Sequence, residues 1–144
     1  MLNQGTEIEE EAMTDLAAIG WPNSWRPIRH PDDERDVVLR NLSIQIMHAI
    51  AYGGTIPLAL SIVDELHREV ISNQQHILYG IQCRPIAYDA HRGHDFLFAT
   101  DERDKPFAVV HFTWNIEHDT RWPSTTIFQT LKEFLEWARK NPNL

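Results

Sequence analysis

The apolar pattern changes period part-way along the chain, and that change limits the fold more than any single motif does. Up to about Gln75, apolar residues recur every three or four positions. Val38, Leu42, Ile46 and Ile50 are spaced by four, and Ile62, Val63, Leu66, Val70 and Ile71 form a second helical face. Beyond it, the runs 86–90, 94–100, 107–114 and 125–129 are rich in aromatic and branched residues and are separated by polar turns. Helices first and strands after predict an α+β fold: N-terminal helices, a four-stranded mainly antiparallel sheet and a C-terminal helix. With 144 residues, the chain is long enough to bury a core as a single domain. Residues 1–75 would be its helical part and 76–144 its sheet and last helix.

Local signals place the helices. Thr6-Glu7-Ile8-Glu9 is a capping box, and Ile8, Met13, Leu16, Ala17 and Ile19 form a stripe behind it, which predicts a helix over 7–19 stopped by Gly20. The segment 21–27 reads as a proline-rich connector whose Trp21 and Trp25 anchor it to the core. Pro31 followed by Asp32, Asp33 and Glu34 starts a helix over 32–51, although Leu42, Ile44 and Ile46 also alternate like a strand. Thr55 as a cap and Pro57 in the first turn predict a third helix over 57–73. Thr130-Leu131-Lys132-Glu133 is a second capping box and opens a last helix over 131–140.

Charge and cysteine usage exclude several function classes. Thirteen Lys plus Arg against 21 Asp plus Glu give a formal net charge of −8, and no basic run exists to hold nucleic-acid phosphates. Residues 1–36 carry nine acids and three arginines, so most of that charge sits in one acidic lobe suited to steering a basic protein partner. The same acids also suit the first turns of two helices. One cysteine, Cys83, rules out an internal disulfide and a cysteine-rich zinc site. The polar, acidic N-terminus is unlike a secretory signal, and no apolar run approaches the roughly 20 residues of a membrane span. A cytoplasmic protein without membrane contact is expected.

The most specific inference comes from register. Setting Thr100 opposite Pro106 places Phe98 against Ala108, Phe96 against Val110 and Asp95 against His111. The turn at 90–94 then brings Asp89 opposite Asp95. Asp89, Asp95 and His111 would form a polar row across three strands, and Tyr88, Phe96 and Val110 an apolar row on the other face, packed on the helices. A slip of one residue would destroy both rows. A histidine beside a carboxylate suits general-base work or metal ligation, so Asp95 and His111 are the candidate catalytic pair. Asp89, His94, Trp114 and Trp122 are candidate binding residues, and His91, His94 and His111 are candidate metal ligands for an ion such as Mn²⁺ or Fe²⁺. The plainer reading is a satisfied polar pair at the edge of the core. Trp114, Trp122 and Trp137 are expected to cluster near the end of the sheet.

Other signatures are absent. There is no P-loop, no G-x-G-x-x-G and no G-x-S-x-G elbow around Ser24, Ser43, Ser61, Ser72 or Ser124, and no cofactor is expected. Cys83 reads as a buried, inert residue.

The stretch Ala108-Val-Val-His-Phe-Thr-Trp114, then Arg121-Trp-Pro-Ser-Thr125 with Phe128, Glu133 and Phe134, resembles a family of small uncharacterised bacterial proteins with a V-V-H-[LF]-T-W … W-P-x-T pattern. His94-Asp95-Phe96-Leu97-Phe98 and Leu78-Tyr79-Gly80 are similar to the same pattern, so the resemblance spans about 76–137. It implies that His111, Thr113 and Trp114 fix a local structure, and it implies no activity.

Two functions follow. One is a non-catalytic acidic protein-binding module, immunity- or inhibitor-like, with a basic protein as partner. The other is a small metal-binding protein or hydrolase using Asp95 and His111. A homodimer through a sheet edge or an apolar surface is compatible with either.

Overall fold

A computed structural model describes residues 20–29, 31–51, 58–91, 94–114 and 117–142. The helix expected over 7–19, and the Thr55 cap with Pro57, lie outside the described residues. The remainder is an α+β fold with one antiparallel sheet of five strands, not four. The strands are β1 (Trp25–Pro27), β2 (Cys83–Asp89), β3 (Asp95–Thr100), β4 (Phe107–His111) and β5 (Ser124–Phe128), hydrogen-bonded in that order. The extra strand is β1, inside the segment read as a connector. Three residues are too few to show alternation, and Pro27 is tolerated because β1 is an edge. Trp25 does anchor this segment: it is 3% exposed and meets Phe134 edge-to-face at 4.9 Å.

The expected register holds. Phe98 pairs with Ala108, Phe96 with Val110 and Asp95 with His111, and the Thr100 N–H donates to the Pro106 carbonyl at 2.9 Å. A bulge between Pro85 and Ala87 turns both Ile86 and Ala87 to one face.

Helices cover both faces. On one side α1 (Pro31–Arg40), α2 (Leu42–Ala51) and α3 (Ile62–Val70) precede the main strands. Val37, Val38, Ile62, Leu66 and Val70 pack there on Phe96, Phe98, Val110, Phe112 and Trp114. The Tyr88, Phe96 and Val110 row lies on this face, as expected. On the other side α4 (Leu131–Lys140) lays Phe134 and Ala138 on Trp25, Leu97, Val109 and Phe128. Its cap follows the expected pattern at Thr130, whose Oγ1 accepts from the Glu133 N–H, while the Glu133 carboxylate reaches one residue further back and accepts from the Gln129 N–H.

The helix expected over 32–51 is two helices, broken at Asn41. The Asn41 Nδ2 group donates to the Val37 carbonyl at 2.9 Å, the acceptor that the Asn41 N–H would use in a continuous helix. The N–H donates to Val38 instead. The third helix starts later than expected, at Ile62, with Ser61 as its cap and the Ser61 Oγ accepting from the Asp64 N–H. Among the described residues no helix is long and apolar enough to cross a membrane.

Candidate functional site

Neighbouring strands place Trp25 beside Asp89, Asp95 beside His111, and His111 beside Ser124, on the face that carries α4. Extending the Tyr88–Phe96 pairing by one residue sets Asp89 next to Asp95. The polar row therefore runs from β2 to β5, with Trp25 closing it on β1.

Within it, His111 Nδ1 lies 2.9 Å from Asp95 Oδ1, which fixes the proton on Nδ1. The His111 side chain is 42% exposed and that of Asp95 10%. The second carboxylate oxygen of Asp95 is buried with no hydrogen-bond partner among the described residues. The His94 ring stands 6.0 Å from the His111 ring. His94 Nδ1 accepts from the Trp114 indole N–H at 2.8 Å, so that nitrogen cannot ligate a metal. Asp89 is committed to its own turn: its carboxylate accepts from the Ser24 hydroxyl and from the His91 N–H. His91 is exposed. Among the described residues no group of three or more His, Cys, Asp and Glu side chains is placed to hold a metal ion.

The tryptophans do not cluster as expected. Trp114 packs in the core under α1–α3, Trp137 lies on the α4 side, and Trp122 is 41% exposed. The two cores are separated by the sheet, a partition set by side-chain alternation.

Beneath the end of β4 lies a charged cluster that the sequence reading missed. Glu65, Arg68 and Glu69 project from α3 and are buried. The Glu69 carboxylate accepts from the Thr113 N–H at 2.8 Å, the Thr113 hydroxyl at 3.0 Å and the Trp114 N–H at 3.0 Å. Arg68 Nη1 donates to Glu65 at 2.8 Å and to the Trp114 carbonyl at 3.0 Å. Burial, reinforced by the adjacent Glu65 carboxyl, pushes Glu69 well above the ordinary carboxylate range, against the lowering effect of the Thr113 hydrogen bonds. Trp114 itself has φ +63°, a left-handed conformation that a non-glycine residue adopts only when its surroundings hold it there. The signal was present in the sequence: Glu65 and Glu69 sit at helical spacing among Ile62, Leu66 and Val70. The His-Phe-Thr-Trp stretch is therefore a structural junction, with Thr113 and Trp114 gripped from α3 and the indole resting on His94.

A second feature is a groove of about 600 Å³ between α3 and the segment 78–83, with Val63, Leu66, Val70, Ile71, Leu78 and Ile81 among its walls. Val63, Ile71 and Tyr79 are 42–49% exposed at its mouth. Gln82 and Cys83 also line a smaller hollow, of about 220 Å³, that includes Asp101. The Asp101 carboxylate accepts from the Gln82 N–H at 3.2 Å. Burial, with Asp101 nearby, pushes the Cys83 thiol up to about 11, so it stays protonated and a poor nucleophile.

Compared with known proteins, the chain matches no family model, no curated protein and no solved structure.

Proposed function

We propose that this chain is a non-catalytic acidic module that binds a basic protein. The observation that carries the reading is the apolar groove beside α3. Soluble proteins seldom expose contiguous apolar surface without a use for it, and concave apolar surface is the usual seat of a partner's anchoring side chains. Asp64 follows Val63 in α3 without lining the groove, and Asp101 lines the smaller hollow that shares Gln82 and Cys83 with it. A segment with apolar anchors and flanking Lys or Arg complements this arrangement. The net charge of −8 adds long-range attraction for such a partner. Immobilised chain is expected to retain a stoichiometric basic protein from a lysate of its source cells at low salt and to release much of it at 1 M NaCl, where the Debye length is about 3 Å. An Ile71→Glu column should retain none. Equal retention by both columns would remove the groove from the account.

One observation favours a second reading: the 2.9 Å contact of His111 with Asp95, in line with Ser124 on the next strand. A carboxylate that orients a histidine beside a hydroxyl is the arrangement of an activated nucleophile. On this reading a fluorophosphonate probe labels the wild type, and labelling disappears in both Ser124→Ala and His111→Ala variants of unchanged melting temperature. No labelling of the wild type, with His111→Ala only lowering the melting temperature, makes the pair structural.

A further inference from the structure

α2 turns only part of its apolar surface inward, where Ile44 packs on the core. Its inward face carries Gln45, fully buried, with its amide oxygen accepting from the Ala59 N–H at 2.7 Å and its Nε2 donating to the Ala59 carbonyl at 3.1 Å. Its outward face carries Ile46, Met47 and Ile50, exposed by 41%, 69% and 71%. The Gln45 clamp also draws residues 58–60 against the helix. Ala59 is buried there, while Leu58 and Leu60 on either side of it are 40% and 67% exposed.

We infer that this face is the interface of a homodimer, with α2 packed against α2 of a second copy. Three features select a second copy over other occupants. First, neither α2 nor residues 58–60 contain Asp, Glu, Lys or Arg. On a chain of net charge −8, an uncharged patch is where an identical copy approaches with least repulsion, whereas a basic partner gains nothing there. Second, the five side chains expose on the order of 500 Å² per copy, so a two-fold pair removes about 1,000 Å² from water, the lower bound of a specific interface. Third, Ser43, Met47 and Ile50 follow an i, i+4, i+7 line with Ile46 beside it, the pattern of helices packed at a shallow angle, and the small Ser43 permits close approach. The surface is separate from the groove, so either assignment can fail without the other.

The test is the solution mass of the full chain by light scattering over a concentration series, at low salt and at 1 M NaCl. A mass of twice 16.8 kDa, undiminished by salt, is expected. Met47→Glu combined with Ile50→Glu should give a monomer, or raise the dissociation constant at least 100-fold, with an unchanged circular dichroism spectrum. In a Cys83→Ser background, Met47→Cys puts a thiol midway along the exposed face of α2 and should form a covalent dimer on mild oxidation; this readout decides the matter if the double variant misfolds. A wild-type monomer at all concentrations overturns the inference. So does a dimer that survives the double substitution, or a Met47→Cys chain that stays uncrosslinked.

Discussion

Replacing Glu69 by alanine is expected to lower stability by about 3–5 kcal/mol, the summed cost of leaving several buried or half-buried donors without an acceptor at about 1–3 kcal/mol each. Three donors lose their acceptor at once: the Thr113 N–H, the Thr113 hydroxyl and the Trp114 N–H. Glu65 and Arg68 remain buried without the group that completes their cluster. The Trp114 backbone, at φ +63°, loses the clamp that holds it in the left-handed region. Urea unfolding followed by tryptophan fluorescence measures the loss, and a change below about 1 kcal/mol would mean that the cluster contributes little to holding the end of β4.

The sign of the accompanying pH dependence is fixed by the raised pKa of Glu69. A carboxyl that binds its proton more tightly in the folded state contributes stability that is fully present below its unfolded value. That stability is lost as the pH rises through its folded value. Wild-type stability should therefore decline as the pH is raised above the ordinary Glu value of 4.5. Glu69→Gln keeps a donor toward Glu65 and removes the titration, so its profile should lack that decline while losing the acceptor for the Trp114 N–H. Parallel profiles for the two proteins would place the proton elsewhere.

Trp114→Ala should cost a comparable 3–5 kcal/mol, the usual range for removing a large buried aromatic. The indole is 1% exposed and packs edge-on to Phe112 at 5.4 Å and to Phe96 at 6.3 Å. Trp114→Phe keeps one aromatic ring in the core but loses both the indole N–H that donates to His94 and part of the ring volume, so its loss should be smaller than that of alanine. In the Phe variant the His94 resonances should shift in histidine NMR spectra. If the Ala and Phe variants lose the same stability, the ring that phenylalanine retains contributes nothing and the packing argument is wrong.

These two residues also show what the sequence made legible. The alternation of 95–100 and 107–111 carried enough information to set register, because a slip of one residue would have turned His111 to the face of Phe96 and Phe98 and left Val110 beside Asp95. The final helix was legible from its capping box, in which Thr130 accepts from the Glu133 N–H as expected and Glu133 reaches back one residue beyond the cap, to Gln129. The break at Asn41 was not legible, because it depends on a side-chain amide competing for one carbonyl inside a continuous apolar period. Nor was β1, too short to alternate. The grip of Glu69 on Thr113 and Trp114 joins residues more than 40 positions apart, and no local pattern marks such a contact. Asp95 and His111 were found from spacing alone. That Asp89 spends its carboxylate on Ser24 and the His91 N–H, and so stands outside any shared site, required the three-dimensional turn.

The groove remains the centre of the functional account, and calorimetric titration of the captured basic partner into purified chain tests it most directly. Wild type should bind with one-to-one stoichiometry per groove and an affinity that weakens steadily from 0.05 to 1 M NaCl. Ile71→Glu and Val63→Glu should abolish the heat of binding while leaving the melting temperature unchanged. Undiminished binding by both variants, or an affinity indifferent to salt, would contradict the assignment of an acidic module that seats a basic partner along α3.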